Sequence, residues 1–360
     1  MIPINIPSLD KREKNAVLKI LNTGVLTSAA RTGGPSVRMF EKAVSSFVNS
    51  RYVLAVNSGT AALQAVLYGL GVKSGDEVLL PSFTFLATAN AVLSVGAKPV
   101  FVDISNNNYT MDPINLQKKI TKKSKVVIPV HMFGNVAYLE PLLDIAKSHN
   151  LKVLEDAAQS MGSTLNNKHT ATFGDAGIFS MYPGKVMTTG EGGIIISRSK
   201  KLHDKILMIR NHGMFNGYDS RILGLNFRMQ EMSAAIGTIQ VKKLSSFLKK
   251  RRKNAKILSE LLSDIINVPV ERSGERVNWL LYTVQVKNRN KILKYLLSKG
   301  VGAAAYYSTP IHKTPLYRSN VKLPITVRVS NRILSLPVHP KVTENNLHYI
   351  AKTLTSALRQ

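Results

Sequence analysis

The chain has no cysteine among its 360 residues. Disulfide bridges and thiolate metal sites are therefore excluded, and the absence fits a reducing, cytoplasmic setting. Long apolar runs are missing too: no stretch approaches the roughly 20 residues that a helix needs to cross a bilayer. The start, Met1-Ile2-Pro3-Ile4-Asn5, has no basic region leading into an apolar one, so no signal peptide is expected there. Aromatics make up only 7% of the chain, yet 44% is hydrophobic and mean hydropathy is near zero. Such a chain can bury a full core, and its length points to two domains.

Negative charge is scarce. Asp and Glu number 21 against 49 Lys and Arg, a formal net charge of +28. That field attracts anions, including phosphorylated substrates, nucleic acid and acidic membranes, although a solvated basic surface is the more ordinary reading. The densest basic runs are Lys118–Lys125 and Lys249–Lys253. The second lies inside a helical pattern between Leu248 and Leu258, so it is not a disordered tail. No helix-turn-helix pattern accompanies it, and a basic DNA-binding regulatory role is only a secondary reading. No membrane partner and no metal site are expected.

From residue 50 to 180 short apolar runs alternate with helical patterns. Strands are expected at Tyr52–Val56, Glu77–Leu80, Lys98–Asp103, Val126–His131, Leu151–Glu155, Ala176–Met181 and Gly192–Ser197. Helices are expected at Thr60–Gly71, Phe85–Val95 and Leu139–His149. Buried strands alternating with helices imply an α/β fold with a mostly parallel sheet between two helical layers. In such sheets ligands bind beyond the carboxyl ends of the strands. After residue 235 the pattern changes to a long helix, Glu231 to Leu262, and then to a smaller α+β region. There Trp279–Val286 reads as a strand, with helices at Lys291–Lys299 and Glu344–Leu358. The expected division is a large domain, 1–240, and a small C-terminal one, 241–360.

Three strand ends carry the candidate chemistry. Asn57-Ser58-Gly59-Thr60-Ala61-Ala62 opens a helix with small and hydroxyl residues, where free N–H groups and the helix dipole attract an anion. An ordinary Ser or Thr cap explains it as well. Leu151 to Gln159 ends a buried strand in two acids, and Asp156 at the ligand-facing edge could pair with a cationic ring nitrogen or cap a helix. Ser180-Met181-Tyr182-Pro183-Gly184-Lys185 runs into the glycine-rich Gly190-Glu191-Gly192-Gly193, placing a lysine where the chain leaves a strand. Lysine forms Schiff bases but needs a lowered pKa to act as a nucleophile, and an isolated loop lysine is usually just solvated. The combination is more informative than its parts. A phosphate cradle, a strand-end carboxylate and a loop lysine meet the three requirements of pyridoxal 5'-phosphate (PLP).

On these segments, together with Pro81-Ser82-Phe83-Thr84-Phe85, Gly224-Leu225-Asn226-Phe227-Arg228-Met229 and Leu336-Pro337-Val338-His339-Pro340, the chain resembles the DegT/DnrJ/StrS family of PLP-dependent sugar aminotransferases, fold type I, over its whole length. The resemblance implies that Lys185 forms the Schiff base and shuttles the proton, and that Asp156 pairs with the ring nitrogen. It implies that Gln159 bonds the ring hydroxyl, Phe85 stacks on the ring, and Gly59, Thr60, Ala61 and Ser180 surround the phosphate. Asn226 would reach the phosphate of a neighbouring subunit in a homodimer with shared active sites. His131, Tyr182, Arg228, Tyr307 and His312 are candidates for the substrate pocket and equally for local packing. The implied reaction moves an amino group from glutamate or glutamine, through pyridoxamine phosphate, to a nucleotide-linked keto sugar, as in perosamine synthesis. Relatives with histidine in place of the lysine act as dehydratases; Lys185 favours transamination. A sugar dehydratase or a cyclitol aminotransferase is the alternative.

Overall fold

The computed structural model describes residues 1–359. Two helices precede the first strand: α1 (Lys11–Thr23) and α2 (Pro35–Val48). Asp10 starts α1 through a capping box with Glu13, and Pro35 starts α2 with its ring at the first turn, where no N–H is needed. The central sheet then builds from β1 (Tyr52–Val56), α3 (Gly59–Gly69), β2 (Glu77–Pro81), α4 (Leu86–Ser94), β3 (Lys98–Val102), α5 (Pro113–Lys119), β4 (Ser124–Val127), α6 (Leu139–Ser148), β5 (Lys152–Asp156), β6 (Ala176–Ser180) and β7 (Gly193–Ser197). Its seven strands lie in the order β1-β7-β6-β5-β4-β2-β3. Five run parallel, from β3 across to β6, while β7 lies antiparallel between β6 and β1. Near-continuous burial along β1, β2, β6 and β7 reflects helices on both faces.

The expected strand over Val126–His131 is shorter in the structure, because Pro129 has no N–H to offer the ladder. Its carbonyl still accepts from the Asp156 N–H, so the segment keeps running beside β5 towards the site. Likewise Phe85 is not the first residue of a helix but the cap before α4.

After α7 (Lys200–Ile209), helix α8 (Glu231–Leu262) crosses the whole molecule. Its first half buries Ala234, Val241, Leu244 and Leu248 with β1, β7 and α2, and Gly237 lets the Phe40 ring approach so closely that a methyl group would collide with it. Its second half buries Ala255, Leu258 and Leu262 in a separate core. That core is built on β8 (Tyr282–Gln285), α9 (Arg289–Ser298), β9 (Ile333–Leu336) and α11 (Glu344–Leu358), with β8 and β9 paired antiparallel, while α10 (Pro324–Arg332) buries Val329 with Phe83, Ile104 and Phe133 instead. The position 240/241 thus lies within a continuous helix, and the change from one core to the other falls between Leu248 and Ala255. Strand β8 is shorter than the expected Trp279–Val286, because the carbonyls of Trp279 and Leu280 are taken by Arg251 instead of a neighbouring strand. No helix among the described residues is long and apolar enough to cross a membrane.

Candidate active site

A cavity of about 600 Å³ opens at the carboxyl ends of the parallel strands. Its floor is set by Asp156 at the end of β5, Ser180 at the end of β6, and Thr84, Phe85 and Thr88 in the turn from β2 into α4. The start of α3, with Ser58, Gly59 and Thr60, forms one wall. Tyr182, Lys185, Gln159 and Tyr307 complete it, and Asn5 enters from the first residues and Leu280 from the segment before β8.

Asp156 is buried, 4% exposed. Thr88 Oγ1 donates to its Oδ2 at 2.8 Å and the Ala158 N–H to its Oδ1 at 3.1 Å. Burial raises its pKa above the usual carboxylate range; the two hydrogen bonds and the nearby Lys185 oppose that shift. The carboxylate has no cationic hydrogen-bond partner, so it presents a cation-binding face to the cavity. Lys185 is displaced the other way: burial lowers its pKa, and the attraction of Asp156 only partly offsets this. Its amine is thereby less basic, and more readily a nucleophile, than that of a solvated surface lysine.

The anion cradle forms at α3. Ser58 caps the helix, its Oγ accepting from the Ala61 N–H at 3.0 Å, while its carbonyl takes the Ala62 N–H. The N–H groups of Gly59 and Thr60 stay free of that cap. Ala61 is buried and does not line the cavity, its N–H being committed to Ser58. A Cβ on Gly59 would lie 2.9 Å from that of Ser180, so glycine is what lets the cradle close against β6. Phe85, 55% exposed, leaves an aromatic face bare inside the cavity.

Gln159 is held at both ends, Oε1 accepting from the Phe133 N–H at 2.9 Å and Nε2 donating to the Tyr307 hydroxyl at 3.1 Å. Burial, with Asp156 adding to it, drives the Tyr307 phenol upward, so it stays neutral.

Other candidates lie elsewhere. His131 is fully buried behind the cavity. The Ala137 N–H donates to its Nδ1, so Nε2 carries the proton and donates to Glu155 at 3.0 Å. Glu155 also accepts from the N–H groups of Ala171, Phe173 and Gly174, because alternation along β5 turns it away from the side that Asp156 faces. His312 is buried against Ser82, its Nδ1 2.6 Å from the hydroxyl. Arg228 is tied to Asn211 Oδ1 at 2.6 Å. Asn226 is exposed beside Asn57, outside the cavity of its own chain. Thr88 and Asn5 were not anticipated as site residues; Thr88 stands three residues beyond Phe85, one helical turn on, and that spacing is the only sequence signal for it.

A sheet with five parallel strands, a buried carboxylate at one strand end and a less basic lysine beyond the next define the fold type I aminotransferases. A model of the DegT/DnrJ/EryC1/StrS aminotransferase family matches residues 7–355, and the chain belongs to that family. A pleiotropic regulatory protein from Geobacillus stearothermophilus is 33% identical, the match covering 99% of both chains. A GDP-perosamine synthase from Escherichia coli O157:H7 is 31% identical, covering 98% of this chain and 97% of that one. The structure of ntda from Bacillus subtilis with the cofactor PMP bound is 30% identical, with a TM-score of 0.90 over 97% of this chain and 82% of that one.

Proposed function

We propose that this aminotransferase carries an amino group from glutamate or glutamine to a nucleotide-linked keto sugar of the 4-keto-6-deoxyhexose type, using PLP. The observation that carries the reading is the pairing, in one cavity, of a half-buried lysine made less basic by burial with a buried carboxylate that lacks a cationic partner. The cradle at Gly59, which a single methyl would fill, fits the cofactor's phosphate. The cofactor-bound relative and the perosamine synthase support the cofactor and the sugar class respectively.

When bound, the cofactor supplies an aldehyde that condenses with amines and a ring that takes up the charge left at the substrate carbon. Lys185 would hold that aldehyde between turnovers and would be placed to move a proton at the donor's α-carbon once released. Asp156 would pair with the protonated ring nitrogen, its carboxylate kept aimed by Thr88. Phe85 would pack against the ring, and the N–H groups of Gly59 and Thr60 with the Ser180 side chain would hold the phosphate. Tyr182, half exposed at the mouth, and the overall charge of +28 suit an acceptor bearing a diphosphate. Asn226 reaches the site of a second copy in a homodimer, where the exposed Phe215, Tyr218 and Leu223 of the same excursion would be covered.

The test is the absorption spectrum of the purified protein with PLP, before and after L-glutamate, in wild type and Lys185→Ala. A visible band that needs Lys185 and shifts with glutamate supports the first half-reaction. NMR of products from a GDP-linked 4-keto-6-deoxyhexose then tests the second. No band, or turnover by folded Lys185→Ala, overturns the proposal. A band that responds to glutamate without any nucleotide-sugar product moves the acceptor to a cyclitol.

A further inference from the structure

A second cavity, of about 470 Å³, lies at the opposite edge of the sheet. Strands β1, β6 and β7 run side by side between the two: their far ends carry Ser58, Ser180 and Glu191 into the catalytic cavity, and their near ends place Tyr52, Ala176 and Ser197 in this one. Five residues of strand separate the two sites by roughly 15 Å. Three cations from three separate segments surround the opening: Arg51 before β1, Lys168 on the short hairpin before β6, and Arg198 after β7. All three are exposed, and none forms an ion pair among the described residues. No carboxylate lines the cavity; the neighbouring Asp175 is turned to Lys152 and the Val153 N–H.

The floor is polar where it need not be. Ser197 is 2% exposed, yet its Oγ has no hydrogen-bond partner, and His169 Nδ1 on the wall has none either. A buried hydroxyl without a partner destabilises the fold, so the fold gains by any ligand that reaches it. Burial and the nearby Arg252 lower the His169 pKa, so the ring is neutral and can either donate or accept.

We infer that this cavity binds the phosphate group of a small molecule, at a site separate from the catalytic one. Two guanidinium groups and an ammonium around one opening match a compact group of charge near −2, and guanidinium forks suit phosphate oxygens. The buried Ser197 hydroxyl and the Asn166 and Asn167 amides supply hydrogen bonds within the same space. Such a group could arrive as free phosphate or on a phosphorylated sugar.

The site is tested by calorimetric titration of the PLP-loaded protein with inorganic phosphate and, separately, glucose 6-phosphate. The proteins compared are wild type, Lys168→Gln/Arg198→Gln, and a control that loses the same charge elsewhere, Lys118→Gln/Lys122→Gln. Saturable binding that weakens at least tenfold in the first variant and is kept in the control supports the inference. If glucose 6-phosphate binds more tightly than phosphate, the ligand is a phosphorylated metabolite; equal affinities assign the site to the phosphate group alone. Equal binding by both variants, or no saturable binding of either probe by wild type, overturns it. Because the titration reads binding and not turnover, its failure leaves the catalytic proposal untouched.

Discussion

Lys185 and Asp156 show how burial creates reactivity from ordinary side chains. Each is moved towards its neutral form by loss of water, and each partly restores the other's charge. For Lys185 this has a measurable consequence in the cofactor-free protein. Its folded pKa lies below the ordinary 10.5, so between those two values the unfolded chain binds more protons than the folded one. Stability should therefore rise with pH across that window, and the rise should be weaker in Lys185→Met, as read from urea midpoints between neutral pH and pH 10. A second prediction concerns Thr88. Thr88→Val removes the one side-chain donor to Asp156, a charge-assisted bond worth roughly 1.5–3 kcal/mol, and should lower kcat about tenfold or more. Asp156→Asn should cost at least a hundredfold in kcat, by the scale of other lost electrostatic partners. Near-normal rates in Asp156→Asn would remove the ring-nitrogen role. Lys185 and Asp156 were legible in the sequence because strand ends are where α/β sheets bind ligands. Thr88 was not, since a threonine inside a helix carries no mark of what it faces.

Among the elements, α8 carries most of the load between the two cores, and the basic run within it shows what a charge count hides. Of Lys249-Lys250-Arg251-Arg252-Lys253, Arg251 is buried with its guanidinium on the carbonyls of Trp279 and Leu280 and on Asn5 Oδ1. Arg252 reaches the carbonyls of Val277 and Gly162. Lys253 Nζ donates to Glu344 at 3.3 Å, so three of the five charges bind the chain to itself. Desolvation without a carboxylate partner pulls Arg251 down to about 9. Farther up the helix, buried Lys243 donates to buried Glu13 at 2.6 Å and to Asp10 at 3.0 Å, which docks α1. Lys243→Ala should cost about 3–5 kcal/mol in urea unfolding, because it strands the Glu13 carboxylate. Glu13→Gln/Lys243→Met should recover most of that loss; if it is as unstable as the single variant, the ion pair is not what matters there. Helix α1 itself had a readable signature, Asp10 followed by Glu13 three residues later, in the spacing of a capping box. Its leucines gave no cue, because Leu9, Leu18 and Leu21 point outward, away from the core of this chain.

On the scale of the whole molecule, the first residues link the C-terminal core to the site at the central sheet. Ile2 pairs with Gly300 and Gly302 through backbone hydrogen bonds, and Asn5 lies both on the cavity wall and on Arg251. His339 Nε2 donates to the Pro3 carbonyl at 3.0 Å, while burial lowers its pKa from 6.5 to about 4. The ring stays neutral in the fold. Below pH 6.5 the unfolded chain takes up a proton that the folded one refuses until about pH 4. Stability should fall as pH drops through that window, with a contribution of at most about 1.4 kcal/mol per pH unit. His339→Phe should show a flatter pH profile of urea stability than wild type over the same range. An unchanged slope would place the acid sensitivity at other groups, such as His169 or His203, whose pKa values burial also lowers.

The sequence by itself determined the class of fold and the order of the catalytic parts, because hydrophobic periodicity and strand-end residue types are local properties of the chain. It also determined that no disulfide helps hold the fold, since there is no cysteine. The tertiary structure decided what local pattern cannot encode. It put β7 antiparallel between β1 and β6, which brings the cradle, the lysine loop and the glycine run to one end of three neighbouring strands. It turned Glu155 and His131 into a buried brace while Asp156, one residue on, faces the cavity. Which of two adjacent acids faces the cavity, and which is taken up by a buried histidine and three backbone N–H groups, depends on partners such as Thr88, His131 and the segment 171–174, which are distant in the chain. Those contacts exist only once the strands and helices of the central sheet are packed together.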